Sequence, residues 1–286
     1  MILAVGEALV EIMRPRRGIP LDRPDTFVGP LASGAPAIFA SVAARRGATT
    51  ALCAVVGDDP FGALLRRRLA DDGVDAGQVR ADLAASTGCA FVAYADDGTR
   101  SFVFHVAAAA RLTAADLGDL PERAAWLHVS GSSLALAPAL ADAVEIAAAR
   151  VHAAGGRISL DPNLRPEALG PDLAERLARI AGLATVLLPS EGELAAFGLD
   201  DSAAPVVCTT LGAGGVRVRA GSGEETIPAP AVDEVDPTGA GDTFAAAFVV
   251  ATLAGAEPVE AAREAVEVAA VGVAHLGPME APVTAR

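Results

Sequence analysis

Short runs of apolar and β-branched residues alternate with alanine-rich runs from about residue 33 to the end of the chain. The short runs predict strands over residues 50–56, 126–129, 157–161, 186–189, 206–211 and 215–219. The alanine-rich runs predict helices over residues 37–46, 61–72, 137–154, 171–181, 191–197, 241–254 and 258–274. This alternation predicts an α/β fold whose doubly wound, mostly parallel sheet is covered by helices on both faces.

Two segments depart from this pattern. Residues 8–30 are rich in Pro, Arg and Gly, and residues 86–106 alternate as antiparallel strands do, around the turn signal Asp96-Asp97-Gly98. We expect both to form one small β-sheet that lies over the main sheet as a lid. The chain contains no clear linker, so we predict a single domain over residues 1–286 with lid insertions at about 8–30 and 86–106.

Composition limits the classes of function. The net charge is −14 and the chain has no lysine, which argues against a basic groove for nucleic acid and against a P-loop. Phosphate binding therefore falls to arginines, backbone amides, helix N-termini and metal ions. Three cysteines without ligand spacing predict reduced thiols in a cytoplasmic protein. The apolar run at residues 244–255 is too short to cross a membrane, for which about 20 residues are needed.

The string Asp236-Pro237-Thr238-Gly239-Ala240-Gly241-Asp242 precedes a long apolar helix. Its glycines allow a sharp turn, and the unpaired amides and positive dipole at the helix start form an anion site suited to a transferred phosphoryl group. Asp242 lies in the first turn, where a carboxylate can accept the proton of an attacking hydroxyl. The alternative is that Asp242 is only the helix N-cap.

This string resembles the C-terminal signature of the ribokinase-like, or PfkB, carbohydrate kinases, and the resemblance covers essentially the whole chain. It implies a doubly wound α/β domain with a small β-sheet lid, ATP as the phosphate donor, Mg²⁺, and a sugar or sugar acid as the acceptor. It also implies that Asp242 is the catalytic base, that Gly239, Ala240 and Gly241 line the anion hole, and that Asp236 and Thr238 are candidates for a K⁺ site. A homodimer through the lid occurs in the family.

Three further segments match the family, one on the acceptor side and two on the donor side. Asp161-Pro162-Asn163-Leu164-Arg165 resembles the D-P-N-x-R of fructokinases and 2-keto-3-deoxygluconate kinases. It follows a predicted strand, so we expect Asp161 and Asn163 to bind the acceptor and Arg165 to pair with phosphate. The alternative is a surface turn.

The donor side is predicted from two loops and Thr238. In Ser190-Glu191-Gly192-Glu193, the resemblance gives Glu193 a role on Mg²⁺ through water, although Ser190 replaces the usual Asn. A capping box with Ser190 as N-cap is the structural alternative. Thr210, Gly212 and Gly215 match a nucleotide loop of the family, with a plain hairpin as the alternative. We assign these residues to cofactor binding.

Several acceptor-side positions depart from the family pattern. Glu11 stands where an Asp is usual, Ser33-Gly34 replaces a Gly pair, and Ile38 replaces an Asn. The lid strand containing Phe102 lacks the usual Arg near Val106, which weakens the case for a sugar acid. Near the C-terminus, Val266 replaces an Asn that is common beside the nucleotide. We therefore expect Glu11, Gly34, Ile38, Phe102, Asp161, Asn163 and Asp242 to form an unusual acceptor site.

The leading hypothesis is an ATP-dependent kinase that phosphorylates a hydroxyl of a sugar-like molecule. A nucleoside kinase stays open, because the apolar Ile38 can pack against a base. A non-catalytic binding protein also stays open, although the complete phosphate-transfer string opposes it. A dinucleotide-dependent oxidoreductase is disfavoured, since no G-x-G-x-x-G follows the first strand.

Overall fold

The structure, a computed structural model, describes residues 1–163 and 172–284. Within these residues the strands are β1 Ile2–Val5, β2 Leu9–Met13, β3 Val28–Ser33, β4 Thr50–Gly57, β5 Asp75–Asp82, β6 Gly88–Tyr94, β7 Arg100–His105, β8 Trp126–Ser130, β9 Arg157–Asp161, β10 Val186–Leu187, β11 Val206–Thr210, β12 Val216–Ala220 and β13 Gly223–Ile227. The α-helices are α1 Ala35–Arg45, α2 Pro60–Asp71, α3 Leu120–Arg123, α4 Gly131–Leu136, α5 Pro138–Ala153, α6 Leu173–Ala181, α7 Glu193–Ala196, α8 Ala240–Leu253 and α9 Pro258–Val273.

The main sheet has nine strands in the order β13-β12-β11-β10-β9-β8-β1-β4-β5. All pairs from β11 to β5 are parallel, and only β11–β12 and β12–β13 are antiparallel. The chain starts at the central β1, builds outwards to β5, and then builds outwards in the other direction. This order confirms the predicted doubly wound, mostly parallel sheet.

Two hydrophobic clusters cover the two faces of this sheet. One contains the buried faces of α1, α2, α8 and α9, and the other contains those of α5 and α6. Strands such as β4 are buried along their whole length, because residues on both of their faces contact helices. Trp126, predicted to lie in the core, is fully buried on β8 and donates from Nε1 to Ser159 Oγ at 2.9 Å.

The predicted elements differ from the observed ones mainly where few apolar residues are present. Strands β5 and β13 were not predicted; both lie at the edges of the main sheet, and most of their residues are exposed or half-buried. Helix α4 was also missed. The helix expected over residues 191–197 is reduced to the single turn α7, because left-handed glycines lie on both sides of it, Gly192 with φ 83° and Gly198 with φ 68°.

A second sheet, which we call the lid, has four strands in the order β3-β2-β6-β7. Its strands come from the two segments that broke the helical pattern, although β3 extends to Ser33. The β6–β7 hairpin is antiparallel and turns at residues 95–99, which confirms the predicted turn. The inner face of the lid carries a small cluster around Leu9, Met13 and Tyr94.

The cysteines form no disulfide; Cys53 and Cys208 are buried and Cys89 is half-buried. Burial raises the pKa of the Cys53 thiol to about 12, so this thiol stays protonated. Among the helices that the structure describes, none has the length and apolar character needed to cross a membrane.

Candidate active site

Asp242 lies in the first turn of α8, at the edge of the main sheet that faces the lid. The N-cap of α8 is Gly239, which has the left-handed φ of 76° that favours glycine, so the alternative that Asp242 is the N-cap is wrong. The side chain of Asp242 is only 5% exposed, whereas Gly241 beside it is exposed. A buried carboxylate therefore lies next to backbone that a ligand can approach.

The segment after β9 reaches the same place. Asn163 adopts a left-handed conformation with φ 46° and donates from its backbone N–H to Asp161 Oδ1 at 2.8 Å. Its side-chain Nδ2 donates to Asp242 Oδ1 at 3.4 Å. A methyl group added to Gly241 would lie 3.6 Å from Asp161 Oδ2, so this carboxylate also borders the α8 turn. Three residues predicted from two separate motifs thus meet at one point.

A cavity of about 60 Å³ lies between the lid and the start of α8. Of the predicted acceptor residues, all but Asp161 line it: Glu11, Gly34, Ile38, Phe102, Asn163 and Asp242. Asn163 Oδ1 is buried there and accepts no hydrogen bond from any described residue. A hydroxyl group entering the cavity could donate to this oxygen. The volume suffices for a few water molecules, so a sugar would require the lid to open or shift.

Glu11 on β2 is buried in the wall of this cavity, with 2% of its surface exposed. Ser33 Oγ donates to its Oε2 at 3.1 Å and Thr238 Oγ1 to its Oε1 at 3.5 Å. Burial and the negative charge of Asp236 raise the pKa of Glu11 from 4.5 to about 7, although the two hydrogen bonds and the charge of Arg100 oppose that rise. Glu11 therefore changes protonation near neutral pH.

Gly34 and Ile38 have different roles at the start of α1. Gly34 has φ 105°, and a methyl group on it would lie 2.6 Å from the carbonyl oxygen of Glu7. Ile38 is buried, and its Cδ1 would lie 3.2 Å from a methyl group on Gly239. The apolar side chain at position 38 thus lies against Gly239 of the predicted phosphate-transfer loop, residues 236–242, and it also lines the cavity.

Sequence reasoning missed several cavity residues: Glu7, Leu9, Ala90, Arg100, Phe104, Ser132 and Leu136. Arg100 is the most consequential, because it brings a cationic side chain to the cavity, whereas the family pattern places one near Val106. The two-residue period of β7 places Arg100, Phe102 and Phe104 on the same face, so the signal was present in the strand pattern. Glu7 is buried and accepts from Ser132 Oγ at 2.6 Å and from Ser133 Oγ at 2.5 Å.

Apart from Thr238, the predicted donor residues lie at or beyond the ends of β10 and β11, and none of them lines this cavity. Ser190 and Thr210 are bridge partners, and Thr210 Oγ1 lies 3.3 Å from Ser190 Oγ. The backbone N–H of Ser190 donates to Glu193 Oε2 at 2.7 Å. Ser190 is not the N-cap, because Gly192 holds that position, so only half of the predicted capping box forms.

The loop from Thr210 to Gly215 connects the antiparallel strands β11 and β12, as the hairpin alternative predicted. A methyl group on Gly215 would lie 2.0 Å from the carbonyl oxygen of Ile227, which explains this glycine by packing against β13. Gly212 is exposed and has open space around it. Val266 is buried in α9 within the core.

Asp236 and Thr238 contact the lid. Asp236 is 1% exposed, and its carboxylate accepts from the backbone N–H of Thr238 at 3.0 Å, from that of Gly277 at 3.0 Å and from the hydroxyl of Tyr94 at 3.0 Å. Thr238, which the sequence assigned to the cofactor, lines the acceptor cavity. Arg165 lies outside the described residues.

The comparisons with known proteins agree with this geometry. The pfkB family carbohydrate kinase description matches residues 2–285. The chain is 36% identical over 270 residues to a rice fructokinase, covering 87% of this chain and 82% of the relative. It superposes on Escherichia coli ribokinase II in complex with ATP and Mg²⁺ with a TM-score of 0.89 and 34% identity, covering 98% of this chain and 95% of the other.

A double-mutant fructokinase of Vibrio cholerae with bound fructose, ADP and potassium superposes with a TM-score of 0.85 and 27% identity. This match covers 100% of the present chain and 95% of the other. The family match over nearly the whole chain, the relatives and the geometry around Asp242 lead to one conclusion. The chain belongs to the pfkB family of carbohydrate kinases and is a phosphotransferase that uses an alcohol group as acceptor.

Proposed function

We propose that the protein transfers the γ-phosphoryl group of ATP to a hydroxyl of a small sugar, with fructose as the first candidate. The observation that supports this proposal most directly is that Asp242 lines the acceptor cavity and also lies in the first turn of α8, beside the exposed Gly241. The choice of fructose rests on the relatives that are named fructokinases.

In this proposal the acceptor hydroxyl oxygen attacks the γ-phosphorus and Asp242 accepts the hydroxyl proton. The bond between the γ-phosphorus and the bridging oxygen breaks, and ADP leaves. Amides at residues 239–241 would stabilise the charge on the transferred group, aided by the positive end of the α8 dipole. The Ala240 N–H donates to the Pro237 carbonyl oxygen at 3.3 Å in the structure, so it would have to exchange that partner for the phosphoryl group. Arg165 would pair with the same phosphates, and Asn163 would hold both Asp242 and the acceptor.

Magnesium fits the site as a phosphate-bound ion rather than as an ion in a protein cage. Among the residues that the structure describes, no group of three or more His, Cys, Asp or Glu could hold a metal. Mg²⁺ in kinases is held largely by the donor phosphates and water, with one or two carboxylates. Glu193 would be such a carboxylate, and bound Mg²⁺ would supply charge neutralisation on those phosphates.

A monovalent cation such as K⁺ would fit beside Asp236. This carboxylate is buried, yet the hydrogen bonds found for it within residues 1–163 and 172–284 come from neutral donors. A buried carboxylate without a cationic partner is costly, so a nearby cation would stabilise it. Titrating K⁺ against Na⁺ in the kinase assay tests this part of the proposal.

Two further predictions concern the setting of the protein. A cytoplasmic location fits the three unpaired cysteines. A homodimer through the lid would cover Val103, which is 56% exposed on the lid. Sedimentation of the wild type and of a Val103→Glu variant tests the dimer.

The function is tested by measuring ADP release and sugar phosphate formation with fructose, ribose, 2-keto-3-deoxygluconate and a riboside. We expect fructose to be turned over best. Asp242→Asn keeps the shape of the side chain but removes the base, so we expect kcat to fall by about 10²- to 10⁴-fold. Turnover by Asp242→Asn at the wild-type rate would contradict the assigned base. Absence of turnover by the wild type on every sugar tested would contradict the proposed acceptor class.

A further inference from the structure

Tyr94 is the only tyrosine of the chain and ends strand β6 of the lid. It is 5% exposed, in the inner cluster of the lid. A phenol has an ordinary pKa of about 10, so the hydroxyl is a donor near neutral pH. Unlike Phe102 and Phe104 on the neighbouring strand, it does not line the acceptor cavity but points to the segment that leads into α8.

The hydroxyl of Tyr94 joins the lid to the phosphate-transfer loop. It donates to Asp236 Oδ1 at 3.0 Å and lies 2.6 Å from Thr238 Oγ1. It can accept from that hydroxyl whenever Thr238 does not donate its single proton to Glu11 at the longer distance of 3.5 Å. Both partners belong to the string that ends at Asp242. A buried hydrogen bond to a carboxylate is stronger than one between neutral groups and is costly to leave unmade.

Asp236 collects contacts from three parts of the fold. Its Oδ1 also accepts from the Thr238 N–H and its Oδ2 from the N–H of Gly277, in the segment after α9. Only Pro237 and Thr238 separate Asp236 from Gly239, and the ring of Pro237 limits backbone rotation. A displacement of Asp236 is therefore transmitted through a short, stiff link to residues 239–242.

A second contact between the lid and this segment, an ion pair, is weaker. Arg17 pairs with Glu234 at 2.9 Å, and the two side chains are 43% and 50% exposed. Exposed ion pairs contribute little to stability, because solvent screens the charges and both side chains lose freedom. Tyr94 thus carries the main buried link that we find between the lid and the loop, together with the longer Thr238–Glu11 contact at 3.5 Å.

We propose that Tyr94 is a positioning residue that couples closure of the lid to alignment of the anion hole and of Asp242. The inference rests on the proposed kinase function. With the lid closed, the Tyr94 hydroxyl holds Asp236 and Thr238 so that residues 239–242 have their catalytic geometry. With the lid open, Asp236 loses this donor and residues 239–242 lose their catalytic geometry. Phosphoryl transfer to water is thereby suppressed while the site is open to solvent.

The test is Tyr94→Phe, which keeps the buried ring and removes only the hydroxyl. We expect kcat to fall about tenfold with little change in KM for ATP, because binding of ATP does not need the link. We also expect the ratio of ADP released to sugar phosphate formed to rise above that of the wild type. Thr238→Val removes the second partner and should give the same signature, whereas Tyr94→Phe/Thr238→Val should be little worse than either single variant.

Arg17→Ala serves as the matched control, since it breaks the exposed contact between the same two parts. It should leave kcat and the product ratio at wild-type values. Unchanged kcat and product ratio in Tyr94→Phe would overturn the inference. Equal decreases of kcat in Tyr94→Phe and Arg17→Ala would overturn it as well.

Amide hydrogen exchange gives a readout that does not depend on turnover. In the wild type, adding ATP and sugar should slow exchange in both residues 88–105 and residues 236–242. In Tyr94→Phe, exchange should slow in residues 88–105 but not in residues 236–242. Matching protection of residues 236–242 in both proteins would overturn the coupling. A wild type that phosphorylates no acceptor contradicts the proposed function instead, and exchange with ATP alone then decides the coupling.

Discussion

Asn163 Nδ2 donates to Asp242 Oδ1 over 3.4 Å, joining the end of β9 to the first turn of α8. The two residues are 79 positions apart and are 7% and 5% exposed. The Asn163 Oδ1 is buried and accepts no hydrogen bond from the residues that the structure describes, so it can accept from an acceptor hydroxyl. Asn163 can therefore orient the proposed base and the reacting group at the same time.

Asn163→Asp should lower kcat by about 10- to 100-fold with little change in KM for ATP. The substitution keeps the shape but replaces the donor with a second carboxylate beside Asp242, and Asp tolerates the left-handed backbone found here. Asn163→Gly is the control that removes the amide without backbone strain. Steady-state kinetics with the accepted sugar measures both, and full activity of Asn163→Asp would show that only the shape of the side chain matters.

Glu11 gives the protein a pH-dependent stability near neutrality. Its pKa is about 7 in the folded state and 4.5 in the unfolded chain, so the folded state binds the proton more tightly. This contribution is fully present below pH 4.5 and is lost as the pH rises through 7. The full effect is on the order of 3 kcal/mol, from about 1.4 kcal/mol per pKa unit.

Glu11→Gln should remove this dependence, because the amide is neutral at every pH. We expect the free energy of unfolding of the wild type, relative to that of Glu11→Gln, to fall between pH 5 and pH 8. Urea denaturation at several pH values measures it. Parallel curves for the two proteins would show that Glu11 does not titrate in this range.

Arg100 should affect the acceptor and not ATP. It lines the acceptor cavity, and within the part of the chain that the structure describes it forms no ion pair. Arg100→Met keeps an unbranched apolar stem, so we expect KM for the sugar to rise about 10- to 100-fold, as for the loss of one hydrogen bond to a charged group. Removing this charge should also raise the pKa of Glu11 further.

The matched control for Arg100→Met is Arg67→Met on the exposed side of α2, which should leave both KM values unchanged. An equal rise of KM for sugar and ATP in Arg100→Met would indicate a general loss of structure. A larger loss on an anionic sugar than on a neutral one would identify Arg100 as a partner of negative charge.

Gly34→Ala should destabilise the protein more than Gly47→Ala. Both glycines have positive φ, 105° and 88°, so a side chain strains the backbone at either position. Only at Gly34 would the added methyl group also meet backbone, 2.6 Å from the Glu7 carbonyl oxygen, whereas Gly47 has open space. Thermal unfolding of both variants measures the difference, and equal losses of Tm would show that the α1 start can shift to make room.

Local patterns along the chain were enough to predict the fold class and the family, and they led to the prediction that residues 236–242 transfer phosphate. These patterns are the β-α alternation, and the glycines and carboxylate at a helix start. Prediction was poor where the local signal is weak, as in the exposed edge strands β5 and β13, and in α7, which lies between the left-handed Gly192 and Gly198. A cation was sought near Val106, whereas Arg100 reaches the cavity from the other end of β7.

Which side chains meet depends on the tertiary structure. The bond from Tyr94 to Asp236 joins residues 142 positions apart, and that from Thr238 to Glu11 joins residues 227 positions apart. No local pattern contains such pairs, because the distance between them depends on how the lid packs over the main sheet. The raised pKa of Glu11 has the same origin, since it depends on burial and on the charge of Asp236. The proposed phosphate-transfer chemistry thus rests on one contiguous string, whereas the surroundings of that string are set by the packing of the lid.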